Sequence, residues 1–148
     1  MDLETRVKTL ELAYAGIQAD AIRLFAQEGI LEKVTEQKHK EQLAMGKRQA
    51  EQFGIEKPEE VFKRLSEVFN CAVWETHKEE DGFTAVSNAC KLCAVAKRMG
   101  KASPCHIYCL NPMEGMVKGL DHNHTFEVKT TLWDGPKCEI RVGTTRCK

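Results

Sequence analysis

The sequence predicts an α+β fold, in which N-terminal helices are followed by an antiparallel four-stranded sheet that carries helices packed on one face. Two observations predict this fold. Residues 1–70 place apolar side chains at helical spacing and are rich in good helix formers. Residues 71–148 contain four short alternating segments, in which two Asp-Gly pairs each mark the turn of a hairpin. We therefore expect a helical N-terminal segment, 1–70, and a cysteine-rich α+β portion, 71–148, that together form one compact unit.

The composition is that of a globular protein without a polyanionic partner. Of the 148 residues, 42% are apolar, which is enough for a core, and the 30% that are charged balance to a net charge of zero. A neutral chain is not attracted to nucleic acid or to anionic lipid, so we expect neither partner. The longest apolar runs are only a few residues, which predicts no membrane span. The charged N-terminus does not resemble an export signal, and we expect a cytoplasmic protein.

The first predicted helix carries an apolar seam of heptad type. Such a seam needs a partner helix, either within the chain or in a second copy, and we favour a homodimer through this helix. Gly29 is expected to end the helix, and Gly54 to end a second helix over residues 30–53. Pro58 suits the first turn of a third helix. The seam consists of Leu3, Val7, Leu10, Tyr14, Ile17, Ala21 and Leu24.

A run of helices is expected between the two hairpins. The first helix covers residues 90–98. The second begins at Ser103-Pro104, where serine can cap the helix and proline suits its first turn. Asn111-Pro112 is expected to interrupt it, and Asn111 can cap a new start, so residues 113–120 are predicted as a further, offset helix.

The alternating segments predict the strands of the sheet. Asp81-Gly82 and Asp134-Gly135 are strong turn signals, because glycine tolerates positive φ. In the last strand Cys138 shares one face with Ile140 and Val142, and we expect its side chain to point into the core. The predicted strands cover residues 71–78, 83–88, 124–133 and 137–142.

Cysteine is the residue type with the most informative distribution. There are seven cysteines, an odd number, and with no export signal they are expected to be reduced. Cys90 and Cys93 form a C-x-x-C motif at a helix N-terminus, where free N–H groups stabilise a thiolate. Cys71, before which no cysteine occurs, and Cys147 are expected to take no part in a site.

Three more cysteines lie on the next helix and on the last strand. Cys105 and Cys109 are four residues apart, so they share a helix face, and His106 is adjacent to them. Cys138 is expected to point inward from the sheet. Together with the C-x-x-C motif, these residues form a set of five thiols that could converge where the helices meet the sheet.

Three interpretations of the five thiols remain open. In the first, four thiolates, or three and His106, bind zinc or an iron–sulfur cluster. In the second, one thiolate or a nearby activated water carries out covalent or hydrolytic chemistry. In the third, the thiols are core residues without a chemical role. A redox-active C-x-x-C dithiol is a further possibility. The candidate metal ligands are Cys90, Cys93, Cys105 and Cys109.

The region from residue 89 to residue 142 also carries a pattern of cysteines and glycines. Cys90 opens a helix, Tyr108-Cys109 lies in the next helix, and Thr130-Thr131-Leu132 precedes Gly135 and Cys138 near the last strand. In this pattern the chain resembles the L-2-amino-thiazoline-4-carboxylic acid hydrolase-like family. The resemblance covers about the last sixty residues.

The resemblance implies a small α+β protein of hydrolase type. The family is named for opening a cyclic thiazoline with water, so we expect action on a C–N bond of a cyclic amidine or thiazoline-type small molecule. Carried over residue by residue, the resemblance implies Cys90, Cys109 and Cys138 as catalytic residues, and His106 is a candidate general base. The alternative is a non-enzymatic, sensor-like module whose cysteine cluster binds a metal or a small ligand.

Overall fold

The computed structural model describes residues 1–144 and confirms the predicted α+β fold. Within these residues, no helix is both long and apolar enough to cross a membrane. The helices are α1 (Leu3–Gln27), α2 (Leu31–Gln52), α3 (Pro58–Phe69), α4 (Lys91–Met99) and α5 (Asn111–Leu120). The strands are β1 (Glu75–Glu79), β2 (Gly82–Ser87), β3 (Thr125–Thr130) and β4 (Cys138–Gly143).

Local signals set the ends of the N-terminal helices. The Asp2 carboxylate accepts a hydrogen bond from the Thr5 backbone N–H at 2.8 Å and thereby caps α1. Gly29 and Gly54 follow α1 and α2 with φ of 73° and 66°, a backbone conformation that glycine adopts without strain. Pro58 is the first residue of α3. The predicted breaks at both glycines and the predicted start at Pro58 are therefore confirmed.

The sheet has the strand order β1-β2-β4-β3, and every neighbouring pair is antiparallel. The two hairpins are thus joined through β2 and β4. On β4 the side chains of Cys138, Ile140 and Val142 are buried against the helices, as predicted. The opposite face of the sheet is polar, and on it Arg141 Nε lies 2.6 Å from the Glu79 carboxylate. The helices therefore pack on one face of the sheet.

Two of the strands are shorter than predicted. Residues 71–74 do not belong to β1, and Ala72 instead forms an isolated antiparallel bridge with Cys90, just before α4. Strand β3 ends at Thr130 and not at residue 133. A bulge after Val128 shifts the register of β3 against β4. Both differences arise from contacts between distant segments, which alternation within one segment does not encode.

The predicted interruption of the helix at Asn111-Pro112 is wrong. A π-helical turn, His106–Leu110, runs directly into α5, and Asn111 has helical dihedral angles rather than those of a cap. The Asn111 N–H donates to the carbonyl oxygen of His106, five residues back. Pro112 then falls in the first turn of α5, where a missing N–H is tolerated.

Helices α2 and α5 cross with their backbones in contact. A Cβ added at Gly46 of α2 would overlap the carbonyl group of Gly115 of α5, and a Cβ added at Gly115 would overlap the carbonyl group of Gln42. Gly119, one turn further along α5, meets the backbone of Lys47 in the same way. Because these three residues lack side chains, α2 lies directly on α5, and side chains of α2 help to line a cavity.

Helix α1 packs on α4 through small residues and not through its heptad seam. Ala15 and Ala19 of α1 form a buried cluster with Leu92 of α4. The seam lies on the surface, where Leu3 is 75% exposed and Ile17 is 71% exposed. Within residues 1–144 most of the seam is not covered by a partner helix, with the exception of Tyr14, which stacks on Phe69 of α3, and its packing against a second copy stays a prediction.

Candidate functional site

A cavity of about 260 Å³ lies where the three N-terminal helices meet the start of α4, the π-helical turn and α5. Its wall is mostly apolar and rich in aromatic side chains. Tyr14 of α1 and Phe69 of α3 stack with their ring centroids 5.2 Å apart. The lining residues are Tyr14, Gln18, Gln42, Gln49, Phe53, Leu65, Phe69, Cys71, Ala72, Trp74, Cys90, Leu92, Ile107, Tyr108, Cys109, Pro112, Met113 and Met116.

Of the three cysteines in this wall, Cys90 is the one whose pKa is lowered. It is the N-cap residue of α4, and its Sγ accepts a hydrogen bond from the Cys93 backbone N–H at 3.4 Å. The Lys91 N–H donates to the Cys71 carbonyl oxygen at 2.8 Å, which holds this start of α4 in place. A hydrogen bond from the Cys93 side chain, with help from the backbone N–H groups of Cys93 and Leu92, lowers the pKa of Cys90 to about 6. Cys90 is therefore a thiolate at neutral pH.

Cys93 and Cys105 lie behind Cys90 in the core. Their Sγ atoms are 3.6 Å apart, and both residues are buried. Hydrogen bonds to Cys105 and Cys90, together with burial, raise the pKa of Cys93. Cys93 is consequently the thiol of the three that keeps its proton, and its single S–H can donate to one neighbouring sulfur atom at a time.

Two neutral thiols share the cavity wall with Cys90. Burial raises the pKa of Cys109 well above its ordinary value, and burial also raises the pKa of Cys71 to about 11. The expectation that Cys71 lies outside the site is thus not met, because Cys71 lines the same cavity as Cys90. The bridge between Ala72 and Cys90 brings the two segments together, and this pairing leaves no local sequence signal.

Two predicted catalytic residues do not line the cavity. Cys138 lies on β4, where its Sγ accepts a hydrogen bond from the Leu132 N–H at 3.1 Å. Burial raises the pKa of this thiol to about 11. His106 is exposed and lines a separate surface depression, together with His39 and Glu114. Of the four predicted catalytic residues, the cavity therefore brings together Cys90 and Cys109. Cys147 lies outside the described residues.

Glutamine side chains supply further polar groups of the cavity wall, and the sequence reasoning missed them. Gln42 of α2 donates through Nε2 to the Ile107 carbonyl oxygen at 3.0 Å. Among the described residues, the buried Oε1 atoms of Gln42 and Gln49 have no hydrogen-bond partner. An acceptor buried without a partner costs about 1–3 kcal/mol. Bound donor groups that reached these oxygens would recover that cost.

The thiols do not form a metal centre of the predicted kind. Across residues 1–144, no group of three or more His, Cys, Asp or Glu side chains is arranged to hold a metal ion. Cys93 and Cys105 face each other in the core, whereas Cys109 lines the cavity. A zinc or iron–sulfur site built from Cys90, Cys93, Cys105 and Cys109 is therefore not supported.

Comparisons with known proteins find no family model, no curated protein and no solved structure that matches this chain. The resemblance to the L-2-amino-thiazoline-4-carboxylic acid hydrolase-like family accordingly stays a prediction.

Among the six cysteines within residues 1–144, we expect Cys90 to be the first that a soluble alkylating reagent modifies, with a rate that depends on pH as a thiolate of pKa about 6 requires. The rate should rise as the pH increases through that value and then level off, because the thiolate is the reactive form. Mass spectrometry after brief exposure to iodoacetamide over a pH series measures it. In Cys93→Ala the side-chain donor is lost, so the midpoint should move up. A wild-type midpoint near the ordinary value of 9.0 would contradict the assignment.

Proposed function

We propose that the protein binds a small cyclic amidine or thiazoline-type molecule in the cavity and hydrolyses a C–N bond of it, with the Cys90 thiolate as the nucleophile. The observation that carries the proposal is an activated thiolate at the wall of a concave, largely apolar cavity. A perturbed pKa inside a concave site is typical of functional residues. The volume of about 260 Å³ is slightly below the usual range for ligand sites, which favours a ligand smaller than a typical drug.

The polar and aromatic groups of the wall suit an amidine. Its N–H groups can donate to the Oε1 atoms of Gln42 and Gln49, which have no partner within residues 1–144. Its planar, delocalised cation can lie against an aromatic ring such as that of Trp74, which interacts favourably with positive charge. An amidinium ion would also pair with the Cys90 thiolate.

The reaction begins with attack of the Cys90 thiolate on the amidine carbon, which forms a C–S bond and moves the C=N electron pair to nitrogen. Collapse of this adduct breaks a C–N bond, and the leaving nitrogen takes a proton from the neutral Cys109 thiol. Water then attacks the thioimidate carbon, the Cys109 thiolate left by the previous step takes the proton of this water, and the C–S bond breaks so that Cys90 leaves as a thiolate. His106 has no part in these steps, because it lies in a separate depression.

Incubation with L-2-amino-thiazoline-4-carboxylate and related cyclic amidines tests the proposal, with products followed by mass spectrometry. We expect turnover that falls to background in Cys90→Ala and a raised KM in Gln49→Leu. The matched control is Cys138→Ala, which removes a thiol outside the cavity and should keep turnover close to that of the wild type. Turnover that survives in Cys90→Ala, or no turnover of any of these compounds by the wild type, would contradict the proposal.

A second candidate function is ligand binding without chemistry, in a sensor-like module. The observation that favours it is the lining of the cavity, which within the described residues contains no His, Asp or Glu side chain that could act as a general base for water. Calorimetry with the same compounds separates the two functions. Binding that is weakened in Gln49→Leu, with no product formed by the wild type, would favour the sensor-like module.

A further inference from the structure

The three thiols at the start of α4 and ahead of the π-helical turn support chemistry that the proposed hydrolysis does not use. We propose that Cys90, Cys93 and Cys105 form a thiol relay, in which Cys90 reacts with a hydroperoxide and the oxidation is passed inward to a buried Cys93–Cys105 disulfide. The relay depends on the same Cys90 but not on the amidine reaction, so either proposal can fail without the other.

The spacing of the sulfur atoms carries the inference. The Sγ atoms of Cys93 and Cys105 are 3.6 Å apart, and a disulfide bond is about 2.05 Å long, so closing the bond needs a movement of only about 1.5 Å. The backbone N–H of Cys93 donates to Cys90 Sγ at 3.4 Å, so Cys93 adjoins Cys90 on one side and Cys105 on the other. Cys93 is thus the central member of a row of three thiols.

The three thiols differ in access. Cys93 and Cys105 are only 4% and 6% exposed, so an oxidant in solution does not reach them directly. Cys90 is half-buried and lines both the cavity and a more open surface depression beside Asn88 and Ala94. An oxidant that reaches this depression therefore meets Cys90 first.

Each step of the relay is balanced. The Cys90 thiolate attacks the terminal oxygen of the hydroperoxide, the O–O bond breaks, and the leaving alkoxide takes a proton from water, which leaves a sulfenic acid on Cys90. The Cys93 thiol attacks that sulfur, so that an S–S bond forms, the S–O bond breaks, and hydroxide departs with the thiol proton as water. The Cys105 thiolate then attacks Cys93 Sγ and displaces Cys90 as a thiolate.

The local environment favours this final position of the disulfide. Hydrogen bonds from Cys93 and Ser103 lower the pKa of Cys105, which increases the fraction of this thiol that is deprotonated and able to attack. Cys90 is the better leaving group of the mixed pair, because the N-terminus of α4 stabilises its thiolate. The exchange also restores the Cys90 thiolate to the cavity wall.

Treatment of the reduced protein with a stoichiometric amount of hydrogen peroxide, followed by alkylation and disulfide mapping by mass spectrometry, tests the relay. We expect a Cys93–Cys105 disulfide in the wild type and a trapped Cys90–Cys93 disulfide in Cys105→Ser. In Cys93→Ala we expect a sulfenic acid on Cys90 that reacts with dimedone. In Cys90→Ser the Cys93–Cys105 disulfide should form at least about tenfold more slowly.

The matched control is Cys138→Ala, which removes a buried thiol on β4 outside the row and should form the Cys93–Cys105 disulfide at the wild-type rate. Equal rates in Cys90→Ser and in the wild type would overturn the relay. A disulfide from Cys90 to Cys71 or Cys109, or no disulfide at all, would also overturn it. The trapped species in Cys105→Ser tests the relay even if Cys90→Ser does not fold.

Discussion

Replacing Gly46 with alanine is expected to lower the free energy of unfolding by roughly 3 kcal/mol, as overpacking of a tight interior contact does. The added Cβ would overlap the carbonyl group of Gly115, and backbone atoms cannot move aside as the end of a flexible side chain can. Helix α2 would have to lift from α5, and Gln42 and Gln49 would move with it. Urea unfolding followed by circular dichroism measures the change.

The matched control for Gly46→Ala is Gly16→Ala. Gly16 lies within α1, and a Cβ added there meets nothing within 4 Å. Alanine is the better helix former, so this variant should gain about 0.5–1 kcal/mol. The same Gly→Ala substitution is thus expected to lower the free energy of unfolding at position 46 and to raise it at position 16. A Gly46→Ala variant as stable as the wild type would show that the two backbones are not in contact.

Phe62→Ala is expected to cost about 3–5 kcal/mol of unfolding free energy, as removal of a fully buried aromatic side chain does. Phe62 joins α3 to the sheet and to the cavity wall. Its ring lies edge-on to Trp74 at 5.3 Å between centroids and edge-on to Phe83 of β2 at 5.7 Å. Truncation would leave a void on which α3, the sheet and Trp74 all border. Thermal and urea unfolding measure the loss.

Val68→Ala is the matched control on the same helix, because Val68 is 48% exposed and its truncation leaves no internal void. Its stability should stay within about 0.5 kcal/mol of the wild type. The near-ultraviolet circular dichroism of Phe62→Ala should also change, since Trp74 loses a neighbouring ring. Equal losses in the two variants would contradict the place assigned to Phe62 in the core.

The features predicted correctly from the sequence are those set by neighbouring residues. Gly29 and Gly54 end helices because of their own backbone freedom, and Pro58 begins a helix because of its fixed φ. The burial of the inward side of β4 follows from alternation alone. The helix break expected at Asn111-Pro112 does not occur. A π-helical turn leads directly into α5 and leaves Pro112 in the first turn of that helix, and no short sequence pattern signals such a turn.

The candidate site was predictable in part. Cys90 and its position at a helix N-terminus follow from the C-x-x-C motif and its place after a hairpin. Gln42 and Gln49 belong to a helix that is polar in sequence and that reads as largely solvent-exposed. They line the cavity because Gly46 allows α2 to lie on α5. The close approach of the two helices also depends on Gly115, which is more than sixty residues further along the chain.

The cavity takes its wall from segments that are far apart in the chain, from Tyr14 of α1 to Met116 of α5. Contacts between such distant segments form late in folding, because the entropy of closing long loops must be overcome first. A ligand of this cavity would therefore recognise the finished fold alone. Neither a nascent chain nor a fragment such as 71–148 would bind it, and so ligand binding would distinguish completely folded molecules from partly folded ones.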